Sequence, residues 1–218
     1  MSTVEDNLSE LRKEIVPYKP IIIAVTKYFD ENKLIEAYQD GLRNFGENRV
    51  QDALEKFEKL PDEVKKNSRF HLIGHLQSNK VKKAVGAFDL IQSVDSLKLA
   101  CAISQEALNQ GIVQKILLQV NNANEEAKSG FSVEELKGCF NEILSLKGIE
   151  VNGLMNIAPI VPEKELHVLF EGMKNLKNEL ERDYSVNLAE LSMGMSSDYK
   201  IALEHGSTMI RIGRKLFT

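Results

Sequence analysis

Cysteine is scarce in this chain: Cys101 and Cys139 are its only two among 218 residues. Both fall in helix-like segments without metal-ligand spacing or a Cys-x-x-Cys pair. A disulfide framework and a zinc cluster are therefore excluded, and the usage fits a reducing cytoplasm with both thiols structural. An excess of basic charge is missing as well. The formal net charge is −4, which argues against nucleic acid as a partner, because such binding leaves a basic footprint. One basic pocket for a phosphate stays compatible with that balance. No apolar run approaches the ~20 residues that span a bilayer, so no membrane partner is expected. The charged opening Met1–Ile15 does not read as a signal peptide. Internal repeats, low-complexity tracts and linkers are absent too. Residues 1–218 thus read as one domain, with a cytoplasmic location and a monomer as the default, and 43% hydrophobic content supplies a real core.

What is present is a succession of short apolar runs. The strand expectations are Ile21–Thr26, Arg43–Phe45, Phe70–Ile73, Leu90–Val94, Ile116–Val120, Ile149–Leu154, Leu188–Leu191 and Met209–Ile212. Most lack alternation, as strands covered on both faces do. Glu-, Lys-, Leu- and Ala-rich stretches lie between them, at 31–40, 49–59, 78–86, 96–109, 132–146, 163–182 and 197–205, after an opening helix at 3–15. Asp30 is placed to cap the first of the intervening helices and Gly41 follows its end. Ser132 and Glu135 have capping-box spacing, and Pro162 falls at an early helical position. The alternation predicts an α/β fold, a compact (β/α)8 TIM-type barrel with an extra N-terminal helix. An open doubly wound sheet is the competitor. No Gly-x-Gly-x-x-Gly follows the first strand, and polar clusters follow nearly every strand instead of gathering at one switch point, which favours the barrel.

Those clusters carry the chemistry. Lys27 ends the run Ile21-Ile22-Ile23-Ala24-Val25-Thr26. It reads either as a rim lysine with its stem packed and its amine in water, or as a Schiff-base lysine activated by burial or by a neighbouring cation. Arg211, adjacent to it in a closed barrel, would be that cation; an arginine in a buried strand is costly unless paired or aimed into the barrel mouth. Met193-Gly194-Met195-Ser196-Ser197-Asp198 precedes a helix. Its free N–H groups and the Ser196 and Ser197 hydroxyls would cradle an anion, with backbone donors from Gly213 and Arg214 beside them. The plainer alternative makes Ser196 an N-cap, and Asp198 opposes a phosphate if it points inward. Glu47, Asn48 and Arg49 begin a helix, either facing inward or capping. His75 follows Gly74, a residue that permits close backbone approach. His71, His167 and His205 form no metal set with it, so no metal is expected. No nucleophile–His–Asp grouping is visible.

Taken in order, several stretches resemble the pyridoxal phosphate homeostasis protein family. They are Ala24-Val25-Thr26-Lys27, Phe45-Gly46-Glu47-Asn48-Arg49-Val50-Gln51 and His71-Leu72-Ile73-Gly74-His75-Leu76-Gln77-Ser78-Asn79-Lys80. Gly153-Leu154-Met155, Leu191-Ser192-Met193-Gly194-Met195-Ser196 and Gly206-Ser207-Thr208-Met209-Ile210-Arg211-Ile212-Gly213 continue the series. The resemblance implies the barrel of bacterial alanine racemase, with pyridoxal 5′-phosphate held as a covalent aldimine on Lys27. It places the phosphate on Ser196, the helix start behind it and the Gly213 backbone, and the pyridine nitrogen opposite Arg211. Asn48 and Met155 would line the pocket beside the ring, with His75 nearby. No catalytic residue is assigned. A guanidinium leaves the pyridine nitrogen unprotonated and the ring a weak electron sink, and the racemase's opposite base has no counterpart here. The implied role is a vitamin B6 homeostasis carrier whose partners are the cofactor and the pyridoxal phosphate-dependent apoenzymes that receive it. An amino-acid racemase on the same barrel is the first alternative. A Schiff-base aldolase, which would need acidic residues beside Lys27, is the second.

Overall fold

A computed structural model of the chain describes residues 3–123, 125 and 129–218. Eight parallel strands close into a barrel in sequence order: β1 Ile21–Val25, β2 Asn44–Glu47, β3 Arg69–Leu72, β4 Leu90–Val94, β5 Gln114–Val120, β6 Ile149–Asn156, β7 Glu190–Met195 and β8 Met209–Ile212. The barrel closes by pairing β1 with β8, Ile23 beside Arg211 and Ala24 beside Ile212. The helices are α1 Val4–Glu14, α2 Glu31–Gln39, α3 Val50–Glu58, α4 Asp62–Asn67, α5 Val81–Ala84, α6 Leu97–Asn109, α7 Val133–Leu144, α8 Glu163–Tyr184, α9 Tyr199–Glu204 and α10 Arg214–Phe217. Among the described residues no helix is long and apolar enough to cross a membrane.

Local chemistry sets the helix starts. Asp30 accepts from the Lys33 amide, and Ser132 and Glu135 form the reciprocal capping box. Pro162 is the N-cap of α8, one place before the expected first-turn position. The boundary corrections that bear on the site are these. β2 reaches Glu47, β6 reaches Asn156, and β7 spans Glu190–Met195 where 188–191 was expected. The segment 78–86 is a 3₁₀ turn, Ser78–Lys80, followed by the four-residue α5. Ser192-Met193-Gly194-Met195 has little β-propensity of its own, and its pairing comes from strands on both sides.

The outer core lies between strands and helices. A second, smaller cluster of Ile23, Leu90, Leu117, Met155 and Met209 plugs the barrel interior. The extra helix α1 has a structural task. Glu14 at its end accepts from Lys215 at 2.8 Å and Lys200 at 3.0 Å, and from the Tyr199 hydroxyl. These bonds tie α1 to α9 and α10, the helices behind the loops after β7 and β8. They hold the Glu14 carboxyl down at about 2.

His71 in β3 lies inside the barrel, 4% exposed. Burial chiefly pushes its pKa from 6.5 to about 4, with Asp89 opposing and Arg69 assisting. A base with a depressed folded pKa binds fewer protons folded than unfolded, so its contribution is present above 6.5 and lost as pH falls toward about 4. The loss is ~3 kcal/mol at about 1.4 kcal/mol per pKa unit. Urea midpoints at about pH 7 and about pH 4 measure it, and His71→Gln is expected to reduce the difference between them.

Candidate functional site

β1 delivers Thr26 and Lys27 to the mouth formed by the strand C-termini. The Thr26 side chain is anchored from below: its hydroxyl donates to Glu47 Oε1 at 2.6 Å. Lys56 Nζ donates to the same oxygen at 2.6 Å and to the Thr26 carbonyl at 2.8 Å. Glu47 and Lys56 are 1% and 8% exposed, a buried ion pair under the strand end. Lys27 itself is exposed, its Nζ 4.8 Å from the ring centre of the exposed Tyr28. Of the two routes to activation that the sequence reading offered, burial is therefore not found.

Lys27 opens onto two cavities. One, of about 550 Å³, is walled by Lys27, Tyr28, Ser196, Ser197, Arg211, Gly213 and Arg214, among others. The second, of about 230 Å³, joins Lys27 to Glu47, Asn48, Arg49 and Asp52. A larger groove of about 670 Å³ lies at α1 and the start of β1; its Arg43 is committed to the Tyr38 and Leu42 carbonyls, and it gathers no comparable set.

The loop after β7 shows why the first cavity favours an anion. α9 starts at Tyr199, so Ser196 and Ser197 lie in the turn before it and neither caps it. Asp198 accepts the Met195 N–H, which turns its carboxylate back toward the strand and away from the role of repelling an anion. Its burial raises its pKa, while the Met195 amide and Arg211 lower it. Among the described residues, the backbone N–H groups of Ser196, Ser197, Gly213 and Arg214 donate to no protein acceptor, and neither serine hydroxyl is bonded. Gly194 makes this approach possible. It has φ +95°, and a Cβ there would lie 2.7 Å from the Ala202 Cβ and 2.9 Å from the Tyr199 Cα.

Arg211 is 4% exposed and is held by its surroundings. NH1 donates to Ser192 O and Oγ, each at 2.8 Å, and NH2 donates to Asn156 O at 2.6 Å. Burial lowers its pKa to about 10, against the pull of Asp198, so it stays a cation.

Five of the expected residues, Lys27, Ser196, Ser197, Arg211 and Gly213, therefore share one cavity. Asn48 stands in the adjoining one, with a buried Oδ1 that has no partner. Gly74 brings that loop in, since a Cβ on it would meet the Asn48 carbonyl oxygen at 2.3 Å. Met155 and His75 are not brought to these walls. Met155 is fully buried in the barrel plug, and the exposed His75 pairs with Asp95 at 3.0 Å. Arg49 points outward, 3.8 Å from Asp52. His167 of α8 and His205 at the end of α9 bond to each other at 2.9 Å, and no metal-binding group of His, Cys, Asp or Glu occurs among the described residues. Sequence reasoning missed Lys56 and Gln92; polarity inside Leu90–Val94, a run expected to be core, was the signal for Gln92, and Lys56 in its helix gave none.

Comparison with known proteins places the geometry. The family model described as alanine racemase, N-terminal domain, matches residues 1–218. The pyridoxal phosphate homeostasis protein of Aquifex aeolicus is 41% identical over 197 residues, 90% of this chain and 85% of its own. That of Schizosaccharomyces pombe is 32% identical over 225 residues, 100% of this chain and 93% of its own. The structure of PipY from Synechococcus elongatus with pyridoxal phosphate bound superposes with a TM-score of 0.89 at 37% identity, covering 99% of this chain and 100% of that one. An alanine racemase of Clostridium difficile shares the fold alone, with a TM-score of 0.78 at 14% identity over 56% of its length. The chain belongs to the alanine racemase N-terminal domain family and, within it, to the pyridoxal phosphate homeostasis proteins.

Proposed function

We propose that this chain holds pyridoxal 5′-phosphate at Lys27 and serves its homeostasis, storing and releasing the cofactor without turnover of its own. The observation that carries the reading is the convergence of Lys27, unbonded serine hydroxyls, four unpaired N–H groups and a fixed arginine in one cavity of about 550 Å³. The residues present fit the group. Ser196, Ser197 and the Gly213–Arg214 amides would hold the phosphate, as charge-assisted bonds from backbone donors do. Arg211, which lines the same cavity, would stand opposite the ring nitrogen. Asn48, in the adjoining cavity, has a buried acceptor without a partner that the bound group would approach. The bound cofactor supplies an aldehyde that reacts reversibly with primary amines, and Lys27 provides the protein's amine for it.

The carrier role follows from the arginine. A cationic guanidinium opposite the ring nitrogen leaves it unprotonated and limits the ring as an electron sink. The relatives bear homeostasis names, and PipY has been solved both with and without pyridoxal phosphate, which supports reversible holding. Apoenzymes that lack the cofactor are the recipients in this reading.

The test is near-visible absorbance during titration with pyridoxal phosphate, then borohydride reduction and peptide mapping. A yellow protein with a single pyridoxyl group on Lys27, and no racemisation of added L-alanine, is expected. An adduct confined to other lysines, or none, sinks the assignment.

A further inference from the structure

A chain of buried polar side chains crosses the barrel interior from Arg211 toward the opposite mouth. Arg211 NH1 donates to Ser192 Oγ at 2.8 Å, and that hydroxyl donates to Gln92 Oε1 at 2.7 Å. Gln92 Nε2 reaches His71 Nδ1 at 3.0 Å, and His71 Nε2 reaches Asn44 Oδ1 at 3.1 Å. The residues come from β8, β7, β4, β3 and β2. Ser192 and Gln92 are 0% exposed and His71 is 4% exposed. A barrel interior is ordinarily filled by branched apolar side chains. Polar groups there are tolerated only when each is paired, and a half-satisfied set is worse than an apolar one.

The arginine fixes the direction of every bond. A guanidinium has donors and no acceptor, so Ser192 Oγ receives from it and passes its own proton to Gln92. The Gln92 oxygen must then face Ser192 and its NH₂ must face His71. The second N–H of that amide points to Met209 Sδ at 3.7 Å. His71 Nδ1 is thereby an acceptor and Nε2 carries the proton that Asn44 receives, an assignment made from the network. Burial that lowers the His71 pKa to about 4 keeps the ring in this neutral form.

We propose that Gln92 and His71 are positioning residues for the cofactor: through Ser192 they fix the guanidinium of Arg211 opposite its ring nitrogen. Without Gln92, the Ser192 hydroxyl proton has no fixed acceptor, and the oxygen no longer presents its lone pair steadily to NH1. The guanidinium then keeps only its two carbonyl anchors, Ser192 O and Asn156 O. This inference rests on the cofactor reading above and concerns only how Arg211 is held.

The experiment uses pyridoxal phosphate labelled with ¹⁵N in the ring and follows the ring-nitrogen resonance on the protein. Wild type is expected at the unprotonated position. Gln92→Met, close in volume but without the amide, is expected to move it toward the protonated position while the adduct stays on Lys27. Gln92→Glu restores an oxygen opposite Ser192 and is expected to return the resonance toward wild type. If Gln92→Met fails to fold, His71→Leu, which frees the Gln92 amide, should give the same displacement. A folded, loaded Gln92→Met or His71→Leu protein with an unmoved resonance makes these residues packing only, and the inference falls. Wild type that binds no labelled cofactor overturns the functional reading instead.

Discussion

Lys27→Arg is expected to abolish the borohydride-stable adduct while leaving the fold intact. Arginine keeps the positive charge and most of the aliphatic stem at this exposed position, so loading, not folding, is what changes. A guanidinium stays protonated in proteins and offers no nucleophilic amine. The phosphate cradle is untouched by this change. Hydrogen bonds to a charged group contribute about 1.5–3 kcal/mol each, so the variant should still bind the cofactor reversibly and lose it on gel filtration. Mass spectrometry after reduction reads the first effect and equilibrium dialysis the second. An adduct of wild-type yield in Lys27→Arg would move the attachment to another amine and remove the centre of the proposed site.

The sequence displayed the outline of this protein where local chemistry and tertiary context agree. β4 and β8 match expectation at both ends, because Leu90–Val94 and Met209–Ile212 are apolar runs that punctuation isolates. β7 did not, since Glu190–Met195 mixes serine, methionine and glycine and becomes a strand only by pairing on both sides. The same division runs through the site. Lys27, Ser196, Ser197 and Gly213 follow strand ends and Arg211 is the last residue but one of β8, and a closed barrel gathers strand ends whatever lies between them. Met155 is on such a strand too, but it is an interior position of the plug, which a motif match does not reveal. His75 turns outward to Asp95, 20 residues away. The interior chain was least legible: Gln92 meets Ser192 across 100 residues of sequence, and no periodicity links them.

The buried ion pair beneath Lys27 has the largest expected effect on stability. Glu47→Leu removes the carboxylate that receives both Lys56 Nζ and the Thr26 hydroxyl. Lys56 is 8% exposed and would be left as a charge without a partner. Removing one member of such a pair costs about 3–5 kcal/mol, chiefly the desolvation of the charge that remains. At about 2–4 °C per kcal/mol for a chain of this size, the melting midpoint should fall by on the order of 10 °C. Replacing both, Glu47→Leu with Lys56→Met, should recover most of the loss, since an apolar pair of similar volume is often neutral or better. Thermal melts of the two singles and the double close the cycle. The double variant also separates stability from geometry. Its Thr26 lacks both the acceptor for its hydroxyl and the Lys56 bond to its carbonyl, so the residue carrying Lys27 is less firmly placed. Weaker retention of pyridoxal phosphate at near wild-type stability is the expected result. Single variants that melt like wild type would show that Lys56 finds water when its partner is gone, and that the pair contributes little to holding the end of β1.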